Sequence, residues 1–507
     1  MAKRLFALLL VCVMALPLLV ACGEDTPATS TPSQGNTSVG GEVSEDVSED
    51  TNVYPEIIDL DGREINILQW GWGVGSSSIN GYTGEIVYSD ETEPNYSRVD
   101  VAKKEVVDYI EATYNCTIGE GYRMTTGSIL DEVQQMVSSG TYTYDIIFAS
   151  ENQALNMLAN DLLTDMKTVP TLHFENSWWD QNAVKDLSIG GRLFAVCGDI
   201  NTYDNLGTWC VLFNKKMKDD LGITDDFYQK ATDGEWTMDY FMEICQNIST
   251  DTNGDGLDEF DIWAVGTETF NIYAHLVGGG LRIAEKDENT DLPYLTVSND
   301  TERTYNALQK VLDFYNSDSV MVANGGKYNQ YSNPWESTII KAFEEGRELF
   351  YVCGLISIAG FRDMEDPLGI LPMPKLYEDQ DRYYHTVSPD NCSFMVLPYG
   401  VKGIVELGTV IEAIAMKSKE IVTPEFYEIQ LKGRDARDNE SEAMLDIIYA
   451  SRCFDLGVCY NWGSIVGCYY DINPDNIASR FDAVIDNAEL AIEDTIEDLE
   501  GYDPILN

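Results

Sequence analysis

The hydrophobic positions near the start of the ordered chain alternate between strand-like and helix-like spacing. Residues 64–70 place Ile65, Ile67 and Leu68 in a strand-like pattern that ends at Trp70. Apolar residues then recur every three or four positions over 99–110, behind a Ser97 that has capping-box spacing, and again over 129–136. The apolar run 145–148 follows. Strand, helix, helix and strand in this order predict an α/β layer with a largely parallel sheet.

The rest of the chain carries further patterns of both kinds. Helical spacing predicts helices over 241–248, 305–315, 404–414, 444–449 and 477–499. Short apolar runs predict strands at 193–196, 211–214, 349–352 and 394–397. The ordered chain, roughly 455 residues, is long enough for several domain-sized units.

The ends of the first predicted strands supply candidate ligand-binding residues. In open α/β sheets, ligands lie outside the carboxyl ends of the strands. The residues at these ends are Trp70, Trp72, Ser150, Glu151 and Asn152.

Aromatic residues beside hydrogen-bond acceptors are the second signal for a binding site. The chain has nine tryptophans and 29 tyrosines. A flat ring suits the C–H face of a sugar, and nearby carboxylates or amides bind its hydroxyls. Asp180 follows Trp179, and Asp199 and Asn201 precede Trp209. Core packing is the alternative, and we expect it for about half of the tryptophans, Trp236 and Trp462 first among them.

An acidic loop at 251–262 resembles a calcium-binding loop. Its first, third and fifth side chains carry oxygen and its sixth residue is glycine. The twelfth position is Ile262 instead of glutamate, so a further carboxylate, Asp258 or Asp261, would complete the shell, or the affinity is weak. A plain acidic turn is the alternative. We expect a structural Ca²⁺ site with these ligands: Asp251, Asn253, Asp255, Leu257 and Glu259.

The charge of the chain excludes several classes of partner. The 86 acidic and 32 basic residues leave a formal net charge of −54. Nucleic acid is excluded because binding phosphate backbones needs a basic surface. The same charge disfavours polyanions and anionic membrane surfaces, whereas neutral or cationic ligands suit it.

Catalytic motifs are scarce in the sequence. The three histidines are far apart, and no GxSxG, GxGxxG or P-loop sequence occurs. A glycosidase needs only a pair of carboxylates. With 86 acidic residues, the sequence cannot single out such a pair.

The N-terminus has the features of an exported lipoprotein. Lys3 and Arg4 precede an apolar run over 5–19, which predicts a signal peptide at 1–21. The run ends in a lipobox, so we expect Cys22 to carry the acyl chains that hold the protein at the membrane. An ordinary cleavage site with a chance cysteine is the alternative. Residues 22–55 are interpreted as this lipidated cysteine and a disordered acidic tether.

The ordered chain resembles family 1 of the bacterial extracellular solute-binding proteins, the sugar-binding lipoproteins of ABC importers. The matching segments occur in the family's order: the lipobox, then 144–147 (YDII), 191–195 (GRLFA), 212–215 (LFNK), 235–239 (EWTMD), 342–346 (AFEEG) and 369–375 (GILPMPK). This resemblance implies a two-lobed, periplasmic-binding-protein-like α/β fold of type 2, with mostly parallel sheets flanked by helices and a hinge. It assigns 56–180 and about 340–400 to lobe 1, and about 181–339 and 401–507 to lobe 2.

The same resemblance implies a function without catalysis. The protein would capture a carbohydrate, an oligosaccharide by preference, and deliver it to an ABC transporter permease by cleft closure. It would be lipid-anchored at the outer face of the cytoplasmic membrane. The expected ligand-binding residues are Trp70, Trp72, Glu151, Asn152, Trp179, Asp199, Asn201, Trp335 and Asp390. A peptide-binding importer component, a lipid-anchored glycoside hydrolase and a sensor accessory that presents bound sugar to a receptor remain as alternatives.

Overall fold

The computed structural model describes residues 51–70, 84–86, 88, 96–119, 122–124, 128–324, 326–361, 364–389, 392–431 and 439–502. At 122–124, 359, 428–431 and 439 it describes the backbone alone. The predicted signal peptide, Cys22, most of the tether, Trp72 and Asp390 lie outside these residues. Among the described helices, none combines the length and the apolar character that crossing a membrane requires.

The strands and helices follow in chain order. The strands are β1 (Arg63–Ile65), β2 (Ile67–Trp70), β3 (Cys116–Ile118), β4 (Tyr122–Met124), β5 (Ile146–Ala149), β6 (Trp209–Asn214), β7 (Trp263–Thr267), β8 (Ala284–Lys286), β9 (Pro293–Leu295), β10 (Val320–Val322), β11 (Glu348–Gly354), β12 (Leu368–Leu371), β13 (His385–Thr386), β14 (Phe394–Val396) and β15 (Arg452–Cys453). The helices are α1 (Arg98–Tyr114), α2 (Ile129–Ser139), α3 (Glu151–Leu158), α4 (Gln181–Asp186), α5 (Tyr203–Leu206), α6 (Lys215–Asp220), α7 (Phe227–Thr232), α8 (Met238–Cys245), α9 (Asn271–Gly278), α10 (Thr296–Asn299), α11 (Thr301–Tyr315), α12 (Lys341–Glu344), α13 (Ile404–Leu431), α14 (Asn439–Ala450), α15 (Leu456–Tyr460), α16 (Ile477–Asp482) and α17 (Ile485–Glu500).

The first larger sheet has the strand order β14-β5-β2-β4. Strand β2 is parallel to both β4 and β5, and β14 pairs antiparallel with β5. The capping box predicted for α1 is present, because Ser97 Oγ accepts the Asp100 N–H and the Asp100 carboxylate accepts the Ser97 N–H at 2.9 Å. The predicted layer of strand, helix, helix and strand is therefore confirmed in this part of the chain.

The second larger sheet has the order β10-β7-β11-β6-β12. Strand β7 is parallel to β10 and β11, whereas β6 runs antiparallel to β11 and β12. Every residue of β7 and β11 is buried, as expected for strands covered on both faces. Strands β11 and β12, within the 340–400 segment expected in lobe 1, pair here with β6 and β7 from the segment expected in lobe 2.

Several predicted elements differ from the structure, among them the strand over 64–70, which is divided into β1 and β2. Residues 193–196 are buried but form only an isolated bridge, between Val196 and Met395. The helix predicted over 404–414 continues as α13 to Leu431, with Pro424 inside it. The helix predicted over 477–499 is divided into α16 and α17, because the chain departs from helical geometry between Asp482 and Ile485.

Trp236 and Trp462 are buried at 0% and 4% exposure, which confirms the expectation that they belong to the core.

Candidate ligand-binding cavity

A cavity of about 600 Å³ opens at one edge of the second sheet. The carboxyl ends of β7 and β11 lie at this edge, and the antiparallel register that pairs Trp209 with Gly354 brings the start of β6 there too. Five aromatic and three acidic residues are among the nineteen that line the cavity. This is the kind of edge at which α/β proteins bind ligands.

Trp209 forms part of the cavity wall and is fixed in place by hydrogen bonds. Its indole Nε1 donates to Asn271 Oδ1 at 2.6 Å. Asn271, the first residue of α9, donates through Nδ2 to the Val352 carbonyl at 2.7 Å and to Thr267 Oγ1 at 2.9 Å. The Trp209 ring also packs against Phe270, with centroids 5.4 Å apart. The indole is thus held rigidly between β7, β11 and α9.

Trp335 is the second tryptophan of the cavity. Its Nε1 donates to the buried Tyr351 hydroxyl of β11 at 2.9 Å. Trp335 directly precedes a π-helical turn, Glu336–Ile340, which continues into α12. Both Trp335 and Trp209 are partly buried, and the protein occupies both indole N–H groups. Their rings therefore remain as apolar surfaces for a ligand.

Carboxylates supply the polar part of the lining. Glu336 begins the π-helical turn, Glu344 ends α12, and Glu268 directly follows β7. Burial raises the pKa of Glu268, and burial followed by the neighbouring charges of Glu345 and Glu336 raises the pKa of Glu344. No lysine, arginine or histidine is among the described residues that line the cavity. The site therefore combines aromatic faces with hydrogen-bond acceptors and negative charge.

The predicted residues at the ends of the first sheet lie near this cavity without lining it. Trp70 is partly buried in a small cluster that also contains Ile356, a residue of the cavity lining. The Glu151 N–H donates to the carbonyl of Pro389, which also lines the cavity, at 3.1 Å. The Glu151 side chain is buried and accepts a hydrogen bond from Cys459 Sγ. Asn152 follows in α3 and is partly buried outside the cavity lining.

Trp179, which we expected to contact the ligand, is a core residue in this structure. Trp178 and Trp179 are each 2% exposed. Their indole Nε1 atoms donate to the buried Glu412 carboxylate of α13, at 2.7 Å for Trp178 and 3.1 Å for Trp179. Burial raises the pKa of Glu412, while its hydrogen-bond donors lower it. Trp178 and Trp179 therefore belong to the core, since their rings are buried and their indole N–H groups are hydrogen-bonded to Glu412.

Asp199 and Asn201 have structural contacts as well. The Asp199 N–H donates to the Trp178 carbonyl at 2.8 Å, and its Oδ1 accepts from Thr423 Oγ1 at 2.6 Å. Burial raises the pKa of Asp199 to about 6. Asn201 is buried and donates through Nδ2 to the Ser393 carbonyl at 2.8 Å. Neither residue lines the cavity, whereas Trp335 does.

Among the residues that line this candidate cavity, sequence reasoning did not name Glu268 or Asn271, and it noted Trp209 beside acceptors without including it among the expected ligand-binding residues. The strand β7 was not predicted, so the rule about carboxyl ends of strands was applied to the first sheet alone. Applied to 263–267, the rule would have indicated Glu268 and the following residues.

The acidic loop gathers three carboxylates. Oxygen atoms of Asp251, Asp255 and Asp261 all lie within 4.8 Å of one another. The Asp251 carboxylate accepts three backbone N–H groups, from Asn253, Gly254 and Gly256. These bonds, led by the one from Gly254, lower the pKa of Asp251, and the Thr252 N–H does the same for Asp261. The loop thus presents ionised oxygen donors, which fit a hard cation such as Ca²⁺.

Two of the five predicted calcium ligands are engaged elsewhere. The Leu257 carbonyl accepts from Lys327 Nζ at 2.8 Å, and Glu259 Oε1 accepts from the Tyr331 hydroxyl. Asn253 Oδ1 accepts the Asp255 N–H at 3.0 Å. The carboxylate that joins Asp251 and Asp255 is Asp261, one of the two weighed as a substitute for the missing glutamate.

Comparison with known proteins identifies the fold. No family model matches the chain, and no curated protein sequence matches it. Solved structures do match. The cyclic α-maltosyl-1,6-maltose binding protein from Arthrobacter globiformis has a TM-score of 0.53 at 13% identity, over 86% of this chain and 100% of that one. A cyclo/maltodextrin-binding protein complexed with maltotetraose has a TM-score of 0.51 at 12% identity, over 87% and 97%.

A third structure, UspC of M. tuberculosis, has a TM-score of 0.54 at 10% identity, over 84% of this chain and 100% of that one. At such identities the likeness shows the fold. The fold prediction is confirmed: this chain has the two-domain α/β fold of these solved structures. The boundaries assigned to the lobes remain predictions.

Proposed function

We propose that this protein captures an oligosaccharide outside the cell and delivers it to an ABC transporter permease, without catalysis. The observation that carries the proposal is the cavity of about 600 Å³, where two hydrogen-bonded tryptophans face the same space as several carboxylates. Rigid aromatic faces suit the C–H faces of sugar rings, and carboxylates accept hydrogen bonds from sugar hydroxyls. Two of the structures with the same fold are described as a cyclo/maltodextrin-binding protein complexed with maltotetraose and as a cyclic α-maltosyl-1,6-maltose binding protein.

The mechanism we infer is a shift between conformations. A ligand that contacts both domains binds the closed form better than the open one and so increases the closed population. The closed form would present a surface that the permease recognises. No bond in the ligand is made or broken in this scheme.

A thermal-shift screen tests the proposal. Neutral mono- and oligosaccharides would be compared with short peptides, because a ligand at 100 times its Kd stabilises a protein by about 2.7 kcal/mol. We expect stabilisation by at least one oligosaccharide in the wild type, and its loss in the Trp335→Ala variant. Stabilisation by peptides alone would contradict carbohydrate capture. Hydrolysis of a chromogenic glycoside that disappears in Glu268→Gln would contradict a function without catalysis.

We also propose a lipid anchor at Cys22, on the outer face of the cytoplasmic membrane. The signal-peptide pattern and the lipobox of the sequence support it. Expression of the full chain in a bacterium, followed by detergent phase partition, tests it. The wild-type protein should enter the detergent phase and Cys22→Ser should remain in the aqueous phase. Equal partition of the two proteins would contradict the anchor.

Finally, we propose that the acidic loop binds a structural Ca²⁺ ion through Asp251, Asp255 and Asp261. The proximity of these carboxylates supports the proposal, as does the oxygen chemistry that Ca²⁺ prefers. The ion would offset the mutual repulsion of the carboxylates and fix the loop against Thr252 and Asp258, which donate hydrogen bonds to Asp261.

A further inference from the structure

We propose that the cavity selects a protonated amino sugar, an oligosaccharide with at least one free ammonium group, over its neutral counterparts. This inference rests on the proposed carbohydrate-binding function and names the chemical class of the ligand. It comes from the arrangement of charge and aromatic surface in the cavity. A neutral sugar would leave the negative charge of the lining carboxylates partly uncompensated.

The first observation is that the acidic groups of the cavity lack cationic partners. Glu268, Glu336 and Glu344 all line it, and the described part of the lining contains no basic side chain. Glu336 accepts one hydrogen bond, from Asn333 Nδ2 at 3.1 Å. The structure gives neither Glu268 nor Glu344 a side-chain hydrogen bond or ion pair with a described residue. These carboxylates are therefore available to a ligand.

The second observation is the position of Glu268. It is partly buried at the end of β7, and its charge is close enough to Tyr351 and Cys353 to contribute to the raised pKa values of both groups. Tyr351 is the residue that holds the Trp335 indole. The negative charge consequently lies beside the aromatic wall, within the cavity, and not on the outer surface.

Ligand binding makes this arrangement selective. A ligand that fills the cavity removes water from Glu268, and an ionised carboxylate that loses its water without gaining a partner is costly. A sugar hydroxyl returns a hydrogen bond from a neutral donor and leaves the negative charge in place, whereas an ammonium group returns a hydrogen bond and also neutralises that charge. The faces of Trp209 and Trp335 attract the same cation through their ring electrons. The Glu268 carboxylate and the two tryptophan faces therefore both favour positive charge on the ligand.

The experiment compares a glucosamine oligosaccharide, its N-acetylated form and a neutral glucose oligosaccharide of equal length. Binding would be measured by calorimetry at several pH values from mildly acidic to neutral, because the amines must be protonated while Glu268, whose pKa burial raises, must be ionised. We expect the glucosamine oligomer to bind at least about tenfold more tightly than the N-acetylated form, as the attraction between an ammonium group and an ionised carboxylate allows. Glu268→Gln, which keeps the shape of the side chain, should reduce this preference to about twofold or less.

Glu302→Gln is the matched control, because it removes the same charge from an exposed position on α11 outside the cavity lining. It should keep the preference. Equal binding of charged and neutral sugars, or a preference unaffected by Glu268→Gln, would overturn this inference while the proposed function stands. Binding of putrescine with no binding of any saccharide would overturn both.

Discussion

Two pairs of tryptophans illustrate how the same residue type serves packing in one region and a cavity in another. Trp178 and Trp179 are almost completely buried and donate to one carboxylate, Glu412. Trp209 and Trp335 also donate their indole N–H groups to the protein, but their rings remain partly exposed at the cavity. In both pairs, therefore, the indole N–H groups are hydrogen-bonded to the protein. The exposure of the ring is what separates a structural role from a binding role.

The sequence context of the two pairs does not reveal this difference. Acidic or amide residues lie close to Trp179 and to Trp209 alike. The decisive partner of Trp179, Glu412, is 233 residues away along the chain. A contact that depends on the packing of α13 leaves no local pattern, so aromatic residues beside acceptors indicated Trp179 and Trp209 equally.

The largest effect we expect is on folding, from the Trp179→Ala variant. Removing a fully buried tryptophan leaves a cavity in the core, and the free energy of unfolding should fall by about 3–5 kcal/mol. Urea denaturation measures the loss. The affinity of the remaining folded molecules for saccharide should change by less than about twofold, because the ring does not line the cavity. If Trp179→Ala remained as stable as the wild type but lost its affinity for saccharide, Trp179 would have a binding role and not a packing role.

The complementary variant is Trp335→Ala. Saccharide affinity should fall about tenfold to a hundredfold, as expected when an aromatic binding surface is removed. The free energy of unfolding should decrease by only about 1 kcal/mol, mainly through the lost hydrogen bond to Tyr351. Calorimetry and denaturation together separate the two effects. Trp335→Phe is the control, since it keeps an aromatic face and should retain most of the affinity.

A smaller, pH-dependent effect on the free energy of unfolding is expected at Asp199, which lies beside the buried Trp178. Its pKa is raised from 3.8 to about 6, first of all by burial. The folded state therefore binds more protons than the unfolded state within this window, so stability falls as pH rises through it. The shift corresponds to about 3 kcal/mol at neutral pH. Asp199→Asn should recover roughly 1–2 kcal/mol of it, because the hydrogen bond from Thr423 to a neutral amide is weaker than the one to a carboxylate, and almost nothing below the window. Denaturation across the pH range measures it, and a gain independent of pH would refute the assignment.

The smallest effect concerns the acidic loop. Calcium at ten times its Kd should stabilise the wild type by about 1.4 kcal/mol. Asp261→Asn should abolish the calcium-dependent increase in Tm, because it removes one of the three clustered carboxylates. Magnesium is the control, since Mg²⁺ is smaller and needs a near-ideal octahedral set of ligands that a flexible loop supplies poorly. A Tm unaffected by calcium and by chelator would show that the loop is an ordinary acidic turn.

Local signals predicted much of the fold. The capping box of α1, the buried residues Ile129, Val133 and Met136 of α2, and the apolar strand β5 are all marked by short-range patterns that the structure confirms. Strand β7 was missed because its five residues, Trp263–Thr267, follow an acidic loop directly and include a glycine. Its identity as a strand depends on pairing with β10 and β11, which lie more than fifty residues further along the chain.

The candidate site was less predictable than the fold. Trp335 was found because it combines an aromatic ring with a cleft-loop position in the family resemblance. Glu268 and Asn271 were missed because β7 was missed. Trp72 and Asp390 lie outside the described residues, so their predicted roles remain predictions.

A crystal structure of the protein with the oligosaccharide that stabilises it most would test the central claim most directly. We expect sugar rings packed within about 4 Å of the faces of Trp209 or Trp335, with a polar group of the ligand bonded to Glu268. Trp178 and Trp179 should remain in contact with Glu412 and distant from the ligand. A ligand bound elsewhere, with the cavity beside β7 and β11 left to solvent, would contradict the claim.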